Sequence, residues 1–273
     1  MREGSGAATE RRGARGGARD EREEAPVAGH SKWANIKHRK EKQDRRRGKV
    51  WSKCSRAIIA AARAGGGDPA TNLALRYAID EAKYANMPKD TIQRAVEKGA
   101  GGGGGENYET VTYEGYGPGG VAVLVDALTD NRARTAPDLR LIFSKHGGNL
   151  GSTGSVAFQF ETRGRVVVDA ALADEERIMQ IALDAGADDV QPPEPDDDGP
   201  GFWTLLVEPA GLLRLKEALE KAGIEPAEAE IARIAQQTTE VRGEDAKRLL
   251  ALIDALEDND DVQKVYTNAE VVE

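Results

Sequence analysis

Between residues 31 and 99 the apolar positions recur at helical spacing. If residues 42–63 form one helix, Val50, Cys54, Ala57, Ile58 and Ala61 fall within about 100° of arc, with Trp51 at its edge. A second helix over residues 74–85 offers Leu75, Ala78, Ile79 and Ala82 as the matching face. A third begins at Pro88, a favoured first position, and stops before Gly99. Five consecutive glycines, 101–105, then read as a linker, since no strand precedes them and no Lys-Ser/Thr follows to make a phosphate loop. Beyond it the period falls to two. Residues 109–116 and 121–129 flank Gly117-Pro118-Gly119-Gly120 as a hairpin. A helix follows through Leu139, Ile142 and Phe143, with Thr135 as its cap and Asp138 three positions on. Residues 155–160 and 165–169 read as strands. A helix through Ile178 and Ala182, a strand at 202–208 and a helix through Leu212, Leu215 and Leu219 come next. Strand 229–234, helix 246–256 and strand 262–267 complete the chain.

This order predicts an α+β protein: an N-terminal helical domain followed by two ferredoxin-like α+β domains, one inserted in the other. The boundaries expected are 27–100 for the basic helical domain, 106–161 plus 227–268 for the outer α+β domain and 162–226 for the insertion. Residues 1–26 are rich in Gly, Ala, Arg and Glu without periodicity and are expected to be disordered.

Charge changes the picture more than composition does. The net charge of -9 over 273 residues hides a division. Residues 30–63 carry twelve Lys/Arg against only Glu41 and Asp44, whereas residues 151–273 carry eleven against twenty-eight Asp/Glu. Stripes of charge on solvated helices usually interleave both signs. An uncompensated basic block repels itself unless a polyanion neutralises it, which points to nucleic acid. Lys42, Arg45, Arg46, Lys49, Lys53 and Arg56 share one arc of the first helix, separate from the apolar one. Lys32, Trp33 and Lys37 lie just upstream; Trp33 either stacks on a base or docks the N-terminal arm. The polar segment Asp130-Asn131-Arg132-Ala133-Arg134-Thr135 reads either as a helix cap or as a phosphate or RNA contact through Arg132 and Arg134.

Signs of catalysis are missing. His30 and His38 sit among cations that repel a metal, and His146 falls at a helix end. Cys54, the single cysteine, lies on the apolar arc, so a packed thiol is expected and no disulfide or thiolate cage forms. Asp196-Asp197-Asp198 and Asp258, Asp260 and Asp261 form short local runs and read as solvated loop and helix-end residues. No enzyme activity, cofactor, metal or small-molecule substrate is expected. No apolar run nears the ~18 residues of a membrane span. The lone cysteine and the absence of an apolar leader suit a cytoplasmic protein.

Several motifs together carry a family resemblance. They are Ala28-Gly29-His30-Ser31-Lys32-Trp33-Ala34-Asn35-Ile36-Lys37-His38, Gly65-Gly66-Gly67-Asp68-Pro69, Ala85-Asn86-Met87-Pro88-Lys89-Asp90, Tyr113-Glu114-Gly115-Tyr116-Gly117-Pro118-Gly119-Gly120, Thr129-Asp130-Asn131-Arg132 and Phe143-Ser144-Lys145-His146-Gly147-Gly148-Asn149-Leu150-Gly151. Over about residues 27–268 the chain resembles the YebC/PmpR family. The resemblance implies a helical first domain, two α+β domains with one inserted in the other, and no catalysis. It implies a DNA-binding transcriptional regulator; the family's mitochondrial relative activates translation. A role on the ribosome, easing difficult sequences such as proline runs, is attributed to the family's bacterial members, for which rRNA or tRNA is the expected partner. Two departures stand out. Twenty-seven residues precede Ala28, and with Val27 at the family's starting position, translation is expected to begin there. The family's Gly-Glu-x-Gly-Ser-Val stretch is here Gly151-Ser152-Thr153-Gly154-Ser155-Val156, without the acid.

Overall fold

A computed structural model of the chain describes residues 43–101, 107–195 and 199–272, with side chains from residue 47 onward in the first helix. The expectations for residues 1–26, the start at Val27 and most of the glycine linker lie outside these residues. The helical domain comprises α1 (Gln43–Gly65), α2 (Leu73–Tyr84) and α3 (Lys89–Ala100). Its core joins Cys54, Ile58, Ile59 and Ala62 of α1 to Leu75, Ala78 and Ala82 of α2 and Ile92, Ala95 and Val96 of α3. Val50, expected in this core, is 40% exposed; the buried arc starts one turn later, at Cys54. Asn72 builds the α1–α2 corner. Its Oδ1 accepts from the Leu75 amide at 3.1 Å, while its Nδ2 donates to the carbonyls of Ala61 and Gly66, both at 2.8 Å. The packing of α3 on α1 requires Gly99, because a Cβ there would stand 2.6 Å from both Ala62 Cβ and the Ile59 carbonyl.

The outer domain starts with the hairpin β1 (Glu109–Tyr116) and β2 (Ala122–Thr129), paired in register from Glu109↔Thr129 to Tyr116↔Ala122. Helix α4 (Arg132–Lys145) and β3 (Asn149–Leu150) follow. The chain then builds β4 (Phe160–Asp169), α5 (Glu175–Ala185), β5 (Asp189–Gln191), β6 (Phe202–Val207), α6 (Leu212–Lys221) and β7 (Glu228–Ala235). It returns through β8 (Thr239–Val241), α7 (Gly243–Asp258), β9 (Val262–Thr267) and β10 (Ala269–Val271). The sheets have the orders β3-β1-β2-β9 and β5-β6-β4-β7, with a two-stranded parallel pair β10-β8. The inserted unit is thus a β-α-β-β-α-β plait. The outer domain has the same two-layer make-up, with its strands in a β-β-α-β…α-β order.

Three local expectations are corrected. Residues 155–160 do not form a separate strand: Ala157–Gln159 is a 3-10 turn, and one long strand begins at Phe160. The cause is Glu114, whose buried carboxylate accepts from the amides of Gly154 (2.6 Å), Val156 (2.8 Å) and Ala157 (2.8 Å) and takes them away from any sheet. The cap of α4 is Asn131, accepting from the Arg134 amide at 3.2 Å, while Thr135 is buried within the first turn. The boundaries of the insertion also move outward. Strand β7, expected in the outer sheet, pairs with β4 from Phe160↔Ala235 to Val167↔Glu228, so the inserted sheet spans residues 160–235 rather than 162–226.

Each four-stranded sheet is covered on both faces. Helices α4 and α7 cover one face of the outer sheet through Leu139, Phe143, Leu249, Leu252 and Leu256. Helices α5 and α6 cover one face of the inserted sheet through Ile178, Ala182, Leu212, Leu215 and Leu219. The remaining faces pack against each other: Ala122, Leu124 and Tyr266 from one sheet meet Leu206, Ala232 and Ile234 from the other. This explains why β2 is buried at nearly every position rather than alternating.

Candidate nucleic-acid interface

The basic helix lies against the acidic end of α7. Lys49, Lys53 and Arg56 stand four and three residues apart and therefore share one face of α1. Lys49 Nζ donates to Asp258 Oδ1 at 2.7 Å. Lys53 Nζ donates to the Glu257 carbonyl at 2.5 Å, a cation on the negative end of a helix. The Arg56 guanidinium pairs with Asp261 at 3.5 Å. The expectation of an open cationic face therefore needs correcting for these three residues. Their partners follow them by roughly 200 positions, too far for any local pattern to disclose.

Asp261 is the centre of this junction. Its carboxylate accepts from Arg134 Nη2 at 2.9 Å and from Thr135 Oγ1 at 2.7 Å. Burial opposes its ionisation, but those hydrogen bonds and the charges of Arg134 and Arg56 outweigh it and hold the carboxyl below its usual value. Of the two arginines at the 130–135 junction, Arg134 is held by Asp130 and Asp261, and Arg132 pairs with Glu109 at 2.7 Å. The segment caps its helix and locks onto the turn after α7, which favours the first of its two readings. A cavity of about 360 Å³ opens here, lined by Arg56, Tyr108, Asp130, Arg134, Asp138 and Asp261 among others. With more carboxylates than guanidiniums, it does not suit a phosphate.

Of the remaining predicted contacts, Lys32, Trp33, Lys37 and Lys42 lie outside the described residues. Arg45 and Arg46 fall within α1, but their side chains lie outside the described set. Trp51 packs at the edge of the helical core, its indole donating to the Ala85 carbonyl at 3.0 Å. Cys54 is buried as expected; burial first, and the Glu81 charge second, push its thiol up to about 12.

A second charged cluster, invisible to sequence reasoning, ties the three domains together. Arg165 of β4 binds Glu228 at 2.9 Å and Glu230 at 2.5 Å. Lys264 of β9 pairs with Glu230 and, at 3.1 Å, with Glu81 of α2. Burial works against both cations, but the facing carboxylates outweigh it and raise both pKa values. Further along α2, Asp80 accepts from Lys216 of α6 at 2.6 Å, and Arg76 pairs with Glu217 at 3.2 Å.

Comparison with known proteins follows this architecture closely. The model of the TACO1/YebC N-terminal domain matches residues 31–102, and that of the TACO1/YebC second and third domain matches residues 108–269. The chain belongs to the TACO1/YebC family. Similar relatives include a probable transcriptional regulatory protein of Thiobacillus denitrificans, 53% identical over 89% of this chain and 98% of that one. Another, from Persephonella marina, is 52% identical over 90% and 96%. The crystal structure of a conserved hypothetical protein from Aquifex aeolicus is similar with a TM-score of 0.79 at 46% identity, covering 89% of this chain and 98% of that one. In this TACO1/YebC chain Glu114 of β1 anchors the loop after β3, accepting from the amides of Gly154, Val156 and Ala157. Among the described residues no helix is long and apolar enough to cross a membrane, and no His, Cys, Asp and Glu group has a metal-binding arrangement.

Proposed function

We propose that this chain is a non-catalytic, nucleic-acid-binding regulator of gene expression that engages phosphates through its basic segment. One observation carries the reading: residues 30–63 hold twelve Lys/Arg against two acids in a chain that is otherwise acidic. Phosphate contacts of this kind supply affinity and position without reading sequence. The relatives' names, probable transcriptional regulatory proteins, favour DNA as the target.

A second reading, an RNA-binding factor on the ribosome that assists translation, draws on α3. That helix follows α2 after a short turn, where a recognition helix would sit. Its exposed side alternates Lys89, Arg94 and Lys98 with Asp90 and Glu97. Arg94 is turned back onto the Asp90 carbonyl at 3.2 Å, and Gln93 onto Glu97 at 2.9 Å. Such a surface suits shape and phosphate recognition better than base readout. Sedimentation of the native protein with ribosomes at low salt separates the readings. Co-migration abolished by RNase but not by DNase supports the ribosomal factor; association with chromosomal DNA that survives RNase supports the promoter-binding regulator. A protein that associates with neither contradicts both.

A further inference from the structure

The acidic end of α7 offers the basic helix what a nucleic-acid strand would offer it. Glu257, Asp258, Asp260 and Asp261 place four carboxylates within five residues, at the helix end where the backbone dipole is negative. Three cations of α1 already use this end: Lys49 on Asp258, Lys53 on the Glu257 carbonyl and Arg56 on Asp261. The outermost pair is open to solvent, with Lys49 48% and Asp258 54% exposed, so a phosphate can reach it. Other contacts between the helical domain and the rest of the chain include three ion pairs: Arg76–Glu217, Asp80–Lys216 and Glu81–Lys264. Tyr77 and Tyr84 add aromatic packing against the core of the insertion. Polar interdomain surfaces of this kind separate more readily than apolar ones. Lys264 keeps Glu230 when Glu81 leaves, so parting the domains strands no buried charge there.

We infer that the end of α7 is an internal mimic of a polyanion, which holds α1 in a closed arrangement and is displaced when nucleic acid binds. The inference rests on the nucleic-acid reading above and adds a regulatory step to it. Every phosphate contact made by Lys49, Lys53 or Arg56 replaces a contact to α7, so the closed arrangement lowers the apparent affinity by the fraction of molecules it retains. Weakening the contact raises affinity without adding any group that touches the ligand.

The test uses the full chain and a 20-base-pair duplex, as RNA and as DNA. Asp258→Asn removes the exposed acceptor; Glu244→Gln makes the same charge change at the far end of α7, where Glu244 pairs locally with Lys247. Asp258→Asn is expected to bind about two- to fivefold tighter than wild type, the range set by one exposed ion pair, and Glu244→Gln to match wild type. Dyes on Ser52→Cys in α1 and Lys247→Cys in α7 are expected to separate when duplex is added. Equal affinities for the two variants, with no change in dye separation at saturating duplex, overturn the inference and leave the nucleic-acid reading standing. Failure of wild type and both variants to bind either duplex at low salt overturns that reading, and the inference with it.

Discussion

Lys49 donates to Asp258 across 209 positions of sequence, joining the basic helix to the acidic end of α7. Both groups are about half exposed, so the pair itself contributes at most ~1 kcal/mol and is weakened by salt. A double-mutant cycle with Lys49→Gln and Asp258→Asn, followed by thermal unfolding, is expected to give a coupling of about 0.2–1 kcal/mol that shrinks between low and high salt. A coupling of zero at low salt would mean that this pair does not help to hold the two helices together.

Glu114 is expected to be the more costly loss. Glu114→Gln removes the charge that three amides of the 154–157 loop point at, and should destabilise the fold by about 1–3 kcal/mol. Hydrogen exchange at Gly154, Val156 and Ala157 should accelerate more than exchange in β1. Unchanged protection there would contradict the anchoring role.

The same carboxylate fixes a pH dependence. Burial opposes the ionisation of Glu114, but the amides of Gly154, Val156 and Ala157 outweigh it and lower its pKa; Asp261 is lowered too. In the unfolded chain both return to ordinary carboxylate values, so the unfolded state binds protons first as pH falls. Their stabilisation is complete above the ordinary carboxylate range and is lost as pH drops through it towards the lowered native values. Urea midpoints are expected to fall below about pH 4.5, and to fall less steeply in Glu114→Gln.

Much of this architecture was legible in the sequence, and the failures have a common cause. The hairpin 109–129 and the three N-terminal helices follow from short-range periodicity and are found almost where expected. Residues 155–160 look like a strand, yet their amides are claimed by Glu114, some forty positions earlier. Strand β7 has the right residues for a strand, but which sheet it joins depends on β4, far upstream. The basic face of α1 reads as charge in the sequence; its partners Asp258 and Asp261 read as ordinary solvated acids because only the fold brings them there. Thr135 heads an S/T-x-x-D/E pattern and so reads as a cap, while Asn131, four residues earlier, takes that role.

Redrawing the insertion yields a fragment test. A chain of residues 160–235 keeps β4, β6 and β7 together and is expected to show protected amides in all three. Residues 162–226 lack β7 and should leave the edge of β4 unprotected. Equal protection in β4 of the two fragments would contradict the assignment of β7 to this sheet.

Cys54 provides a probe of the helical core. With its thiol pushed up to about 12, native Cys54 at pH 8 should react with a thiol reagent on the order of a thousandfold slower than in denaturant. A native rate within tenfold of the denatured one would contradict its burial.

The most direct test of the central claim is the salt dependence of nucleic-acid binding by wild type and by the Arg45→Gln, Lys49→Gln, Lys53→Gln triple variant. Glutamine keeps helix propensity, so folding should hold. Neutralising about six phosphates predicts a log–log slope near -5 for duplex DNA, shallower by two to three units in the variant. The loss of affinity should be nearly uniform across sequences, because phosphates carry no base information. An identical slope in the two proteins would contradict phosphate recognition by the basic helix.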